Sequence, residues 1–391
     1  MRRFVLLIYV FLLLGCQQLP ETAVKVDTES LLNSQAFMPV DQTIETKQQI
    51  FELPESVISK ARNEILVFTE PQARSLALLR FIFREQQDPL KYVNNATLTA
   101  LQTYEQREAN CLSLTILSYS LARALGFRAQ FQDVQIPEYW ITRNGASVLN
   151  GHVNLVVSPP YLQTAGKAFI AANQKFLIDF ERAGSSRERL PVRKIYEPEI
   201  MALFYNNKAA DAMLAQQFDL AYRYLQEAAA VAPEVPATWN NLAVLYRQRN
   251  MLADAERAYR QSLKLEPEHA NTMANLAILY DAMGRQQEAA VLIAKVRQTR
   301  LRNPYYFVMQ GNEALGQQRI LDAESAFQRS IRLQPKMPEA WFGLAKVAIL
   351  QQDYATATSY LQRARMQSAA SADRRLYDQK IEMLHAVAKI Q

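Results

Sequence analysis

Hydrophobic and polar positions divide the chain into four stretches of different rhythm. Residues 4–14 form an unbroken apolar run behind Arg2 and Arg3. Residues 17–48 are rich in Gln, Thr, Ser, Val and Asp and carry no helical period. Between residues 49 and 198, helical and strand-like patterns follow one another. There Leu76, Leu78, Leu79, Phe81 and Ile82 predict a helix over 75–84. Leu114, Leu117, Leu121 and Leu125 make one stripe over 111–125, with Asn110 as N-cap and Gly126 as the C-terminal stop. Residues 127–134, 152–157 and 175–180 read as strands, and alternation puts His152, Asn154 and Val156 on one face of the second.

The last stretch repeats. A 34-residue frame starts at Ala202 and recurs at Pro236, Ala270, Pro304 and Pro338. Its position 4 holds Tyr205, Trp239, Met273, Phe307 and Trp341, and position 20 is alanine every time (Ala221, Ala255, Ala289, Ala323, Ala357). Position 24 holds Leu225, Tyr259, Ile293, Phe327 and Leu361; position 32 is Pro233, Pro267, Leu301, Pro335 and Ala369. Bulky residues facing a constant alanine let two antiparallel helices approach closely, and a proline ends the second one. The pattern resembles the tetratricopeptide repeat, five units over residues 199–371. Residues 372–391 then read as a capping helix with Tyr377, Ile381, Leu384 and Ala388 inward. The resemblance implies a concave groove lined by the first helix of each unit, here through Asn206, Asn240, Asn271 and Asn312, whose amides suit a peptide backbone. Peptide or protein partners are therefore expected. Packing against the protein's own N-terminal domain, or against a second copy, is the alternative use of that face.

The apolar run at the N-terminus rises only about 16 Å as a helix, too short to cross a bilayer. With its basic start it reads as a signal peptide over residues 1–15. Leu13-Leu14-Gly15-Cys16 resembles the bacterial lipobox, which implies acylation of Cys16 and a membrane anchor. No aspartate follows Cys16, which by that resemblance favours the outer membrane and the periplasmic side. Residues 16–48 are then expected to be a tether, and residues 49–198 a separate domain.

Charge and composition narrow the chemistry. Net charge is +6 and basic residues are scattered among acids, without the concentrated patch of a nucleic-acid binder. Two cysteines and three histidines exclude a disulfide scaffold or a four-cysteine zinc site. No phosphate loop or dinucleotide fingerprint is present, and no cofactor or metal is expected. Beyond Cys16, the thiol and imidazole candidates are Cys111, His152, His269 and His385. Cys111 opens the helix over 111–125, where the positive end of the dipole favours a thiolate. His152 starts one strand, and Asp179 lies near the end of the next.

That order, with Asn110-Cys111-Leu112-Ser113, Leu125-Gly126-Phe127-Arg128-Ala129, Gly151-His152-Val153 and Leu177-Ile178-Asp179, resembles the transglutaminase-like branch of papain-type cysteine enzymes. The resemblance implies an α+β transglutaminase-like (papain-type) domain ahead of the all-α solenoid. It also implies roles: Cys111 as nucleophile, His152 as proton carrier and Asp179 as its orienter. Ala109 stands where the family carries glycine, and no aromatic follows His152. Gln102 or Gln106 is the candidate oxyanion donor. Taken singly, each triad residue also has a structural reading: a small buried cysteine, a packed histidine, a turn aspartate. Two functions follow. One is an envelope lipoprotein with a cysteine-dependent amide hydrolase or acyl-transfer domain, served by a repeat scaffold. The other is a non-catalytic interaction scaffold or assembly factor.

Overall fold

The computed structural model describes residues 26–83, 88–143, 146–159, 175–179, 190–368 and 371–388. The expected signal peptide, Cys16 and the start of the expected tether lie outside the described residues.

Three helices come first: α1 (Lys47–Phe51), α2 (Glu55–Ile65) and α3 (Pro71–Phe83). The helix expected over 75–84 begins earlier, at Pro71, because proline's fixed φ suits a first turn that needs no N–H. Next come β1 (Lys91–Tyr92), α4 (Ala100–Gln106), β2 (Glu108–Ala109) and α5 (Cys111–Ala124). An antiparallel sheet of β3 (Arg128–Arg143), β4 (Ala146–Ser158), β5 (Phe176–Ile178) and β6 (Val192–Ile195) has the order β5-β4-β3-β6. Leu114, Leu117 and Leu121 of α5 share one core with Leu155, Val157 and Ile178 of the sheet, all at most 1% exposed. This part is mixed α/β. Its β1, β2 and β6 are too short to show an alternation in sequence.

The β3–β4 ladder has one interruption. Val134 pairs with His152 and Tyr139 with Asn150, so residues 135–138 of β3 stand opposite Gly151 alone. Pro137 lies in that bulge, where its missing N–H costs no ladder bond.

Five helical hairpins follow: α6 (Glu197–Leu214) with α7 (Phe218–Val231), α8 (Pro236–Gln248) with α9 (Leu252–Leu265), and α10 (Ala270–Ala282) with α11 (Gln286–Arg300). The last two are α12 (Pro304–Gly316) with α13 (Ile320–Leu333), and α14 (Pro338–Leu350) with α15 (Tyr354–Gln367); α16 (Ser371–Ala388) packs on α15. Four first helices start where the 34-residue frame does. The exception is α6, which begins ahead of Ala202: Glu199 accepts from the Tyr196 N–H at 2.9 Å, and Glu197 adds a second acid to the first turn. All five frame alanines are at most 3% exposed. Each hairpin turns through one left-handed residue at the same frame position: Gln216, Asn250, Gly284, Gln318 and Gln352, with φ between 58° and 75°.

The third repeat departs from the pattern. Ile293 is 55% exposed, whereas Leu225, Tyr259, Phe327 and Leu361 at the same frame position are fully buried. Helix α11 makes its contacts through Ala289, Leu292 and Val296 instead. It also runs on to Arg300, one frame position further than the other four second helices. Second helices pack on the next repeat's first helix at α7–α8, α9–α10 and α13–α14, but α12 packs chiefly on α13 and on β3.

The tether expected over residues 16–48 is, from residue 26 onward, bound to the repeats. Phe37 stacks on Tyr222 with centroids 4.1 Å apart. The Asn33 amide donates to the Tyr246 hydroxyl, which in turn donates to the Leu31 carbonyl, at 2.9 and 3.0 Å. The Glu45 carboxylate accepts from the Tyr224 hydroxyl and pairs with Lys208. Leu31 and Phe37 are buried despite the polar composition around them. Two apolar anchors and the backbone bonds of Asn33 outweigh the missing helical period.

Candidate functional site

Local sequence positions the thiol. The Asn110 side chain caps α5 by accepting from Ser113 N–H at 2.9 Å, and its amide donates to the Thr97 hydroxyl. The Ser113 hydroxyl donates to the Ala96 carbonyl at 2.6 Å and accepts from Leu98 N–H at 2.8 Å. Arg107, in the left-handed region at φ 55°, turns the chain from α4 into β2, and its guanidinium donates to the Ile82 and Asp88 carbonyls. These bonds hold the start of α5 against the sheet, where the Thr115 hydroxyl reaches the Val153 carbonyl at 3.4 Å.

Cys111 is the first residue of α5 and is 8% exposed. Its Sγ sits 3.8 Å from the Gly151 carbonyl, directly before His152 on β4. His152 Nε2 lies 2.7 Å from Asp179 Oδ2, one residue past the end of β5. Burial pushes the imidazole pKa down, but the hydrogen bonds to Asp179 and to Cys111 overcome it and raise it to about 10. His152 therefore carries its proton at neutral pH and releases it only as the medium passes about pH 10. The chain thus brings Cys111, His152 and Asp179, separate in sequence, into one cluster, with His152 bonded to Asp179 and the thiol beside the Gly151 carbonyl that precedes His152.

A fourth residue joins them. Asn154, two residues after His152 and 5% exposed, donates from Nδ2 to the same Asp179 Oδ2 at 3.2 Å. The shared strand face of His152 and Asn154 was the available sequence signal. Gln102 does not join them: its Oε1 accepts from Thr99 N–H at 3.0 Å in a capping box at the start of α4. Gln106 is exposed at the end of that helix. The first-turn amides of Cys111 and Leu112 have no intrahelical acceptor and are the nearer source of donors for an oxyanion.

His269 caps α10, its Nδ1 accepting from Thr272 N–H at 3.3 Å. The side chain of His385 lies outside the described residues. Among the described residues, no cluster of three or more His, Cys, Asp or Glu could hold a metal ion. Nor is any helix among them long and apolar enough to cross a membrane.

The asparagines expected to line the groove divide in two. Asn206 and Asn240 are 3% and 6% exposed, and their amides are used between neighbouring helices. Asn206 donates to Thr238 Oγ1 and accepts from Asn241, while Asn240 accepts from Asn275 and Thr272. Adjacent first helices pack too closely at that frame position to leave an amide for a ligand. Asn271 is half-buried; Asn312 is exposed and accepts from Lys346 Nζ at 2.7 Å.

Comparison with known proteins bears on the repeats. Tetratricopeptide-repeat family models match residues 236–269 and 308–374. No curated protein matches the chain. Among solved structures, Pseudomonas aeruginosa pilF is 17% identical, covering 49% of this chain and 87% of its own, with a TM-score of 0.27. PilW, described as a widely conserved type IV pilus biogenesis factor, is 22% identical over 48% of this chain and 87% of its own, at 0.29. YrrB, described as having an unusual peptide-binding site, is 14% identical over 49% and 92%, at 0.25. TM-scores this low fix neither the superhelix nor a partner for this chain. The helical C-terminal part, on its 34-residue frame and on the two family matches, is a tetratricopeptide-like solenoid.

Proposed function

We propose that this chain is a protein-binding scaffold of the cell envelope whose α/β domain carries a cysteine-dependent amide-hydrolysing or acyl-transferring site. The observation that carries the chemical part is the 2.7 Å bond from His152 to Asp179, with Cys111 as the other partner of the imidazole. Cys111 sulfur attacks an amide carbonyl, and its proton resides on His152. The imidazolium protonates the leaving amine as the thioester forms. Water, or an acceptor amine, then attacks the thioester; His152 takes its proton and returns it to the sulfur. Asp179 keeps the ring oriented and its charge balanced. The repeats hold the partner, and a lipid on Cys16 holds the protein to the membrane.

Alkylation by iodoacetamide in a Cys16→Ser background tests this. Native Cys111 labels at pH 6–7, and His152→Ala slows labelling by about 10-fold or more through loss of the neighbouring cation. A thiol that stays unlabelled until the protein unfolds would overturn the chemical part.

A second reading, a non-catalytic assembly scaffold, is favoured by two observations. Cys111 is only 8% exposed, and both family matches fall within the repeats. On that reading Cys111→Ala changes neither partner binding nor cell phenotype.

A further inference from the structure

Asn154 is buried, yet only half of its amide is satisfied. Nδ2 donates to Asp179 Oδ2 at 3.2 Å, while Oδ1, equally shielded from solvent, finds no partner among the described residues. A buried acceptor left unpaired is destabilising, and a leucine would fill nearly the same volume without that penalty. The amide therefore keeps one polar end on the carboxylate at the expense of the other. Stability alone does not call for an asparagine here.

Strand register explains the position. β4 and β5 pair Val157 with Phe176, Val156 with Leu177 and Leu155 with Ile178. One step further in the same register sets Asn154 opposite Asp179, just past the last paired residue of β5. Alternation puts His152 on the same face as Asn154, diagonal to Asp179. Asp179 Oδ2 thus meets both His152 Nε2, at 2.7 Å, and the Asn154 amide. Among the described residues, the titratable groups that face His152 are Asp179 from the end of β5 and Cys111 from α5, while β3 presents Val134 opposite it. Burial works against a charged imidazole, and the bond to Asp179 is the first of the effects that outweigh it. The charge on His152 therefore depends on where the Asp179 carboxylate points.

We infer that Asn154 is a positioning residue of the Cys111 site: its amide holds the Asp179 carboxylate in its bond with His152, so that the imidazole stays charged beside the thiol. Asn154 acts through Asp179 and touches neither the sulfur nor the acyl group. Its role rests on the chemical part of the proposed function.

The test is the titration of His152 in the full chain, followed by NMR of its imidazole. Asn154→Leu keeps the shape and removes both polar ends. It is expected to lower the His152 midpoint by about one pH unit or more. The urea midpoint should stay the same or rise, because the unpaired acceptor leaves together with the donor. Asn154→Ala shifts the His152 midpoint the same way and serves if leucine is not accommodated. In an Asp179→Asn background, either substitution moves the midpoint no further, since the carboxylate it holds is gone. An unmoved or raised midpoint, or an undiminished shift in the Asp179→Asn background, would overturn the role. Iodoacetamide labelling separates this from the chemistry it serves. A lowered midpoint with Cys111 unlabelled in the native protein would uphold Asn154's hold on Asp179 and remove the cysteine chemistry. Native labelling with an unmoved midpoint would do the reverse.

Discussion

Two junctions in the same solenoid are built in different ways. Between the fourth and fifth repeats, Phe327 is fully buried in a slot made by Gly311 and Gly343. A Cβ on either glycine would come within 2.5 Å of the ring. Between the third and fourth repeats that self-packing is missing, and the hairpin of the α/β domain occupies the place. Arg300, at the end of α11, pairs with Glu138 at 2.9 Å, with both side chains about 15% exposed. Its guanidinium lies over Trp140 and Tyr306, and Asn303 donates to the Glu138 carbonyl at 2.7 Å. The first junction is a repetition of local chemistry. The second is a long-range contact, and Glu138 belongs to the bulge opposite Gly151, next to the thiol. The repeats are thus attached to the site domain at the one seam where they do not pack well on each other.

The largest way to sharpen this contrast is at the frame position shared by Phe327 and Ile293. Phe327→Ala is expected to cost about 3–5 kcal/mol in urea unfolding followed by circular dichroism. Ile293→Ala, at an exposed position, should stay within about 0.5 kcal/mol. An equal loss at the two would erase the distinction between the junctions. Gly343→Ala comes next, at about 1–3 kcal/mol, because a methyl cannot enter the slot unless Phe327 leaves its rotamer. Arg300→Ala should cost about 1–2 kcal/mol. A double-mutant cycle with Glu138→Gln isolates the pair, and hydrogen exchange at Gly151 and His152 should quicken if the hairpin is held from the repeats. The smallest effect is expected at the turns. Gln318→Gly relieves a left-handed residue and should add about 0.5–1 kcal/mol, seen as a higher urea midpoint with unchanged slope.

Legibility in the sequence followed the same division. The repeat frame was readable because each unit restates its own packing: the five alanines are buried, and four first helices begin on the frame. What the frame could not show was the exception. Ile293 has the right chemistry at the right position, yet it is exposed, since burial there depends on a neighbour that β3 partly replaces. Asn206 and Asn240 failed in the opposite sense, as polar residues on the inner side whose amides face adjacent helices. Cys111, His152 and Asp179 stood out because thiols and imidazoles are scarce in this chain, and helix and strand periods put them at element ends. Asn154 carried only the weak signal of a shared strand face. The strap over residues 26–46 left none, since its burial rests on Phe37, Leu31 and backbone bonds rather than on a period.

That strap also sets the path along which force travels. The chain is bonded to the first two repeats at Asn33, Phe37 and Glu45 before it builds the α/β domain, and it re-enters the same repeats at α6 afterwards. A pull applied upstream of residue 26 is therefore borne first by tyrosines of α7 and α8. The α/β domain is tied to the array on both sides, by the strap and α6 and by the Arg300–Glu138 seam, so tension on the N-terminus meets the repeats before the Cys111 pocket.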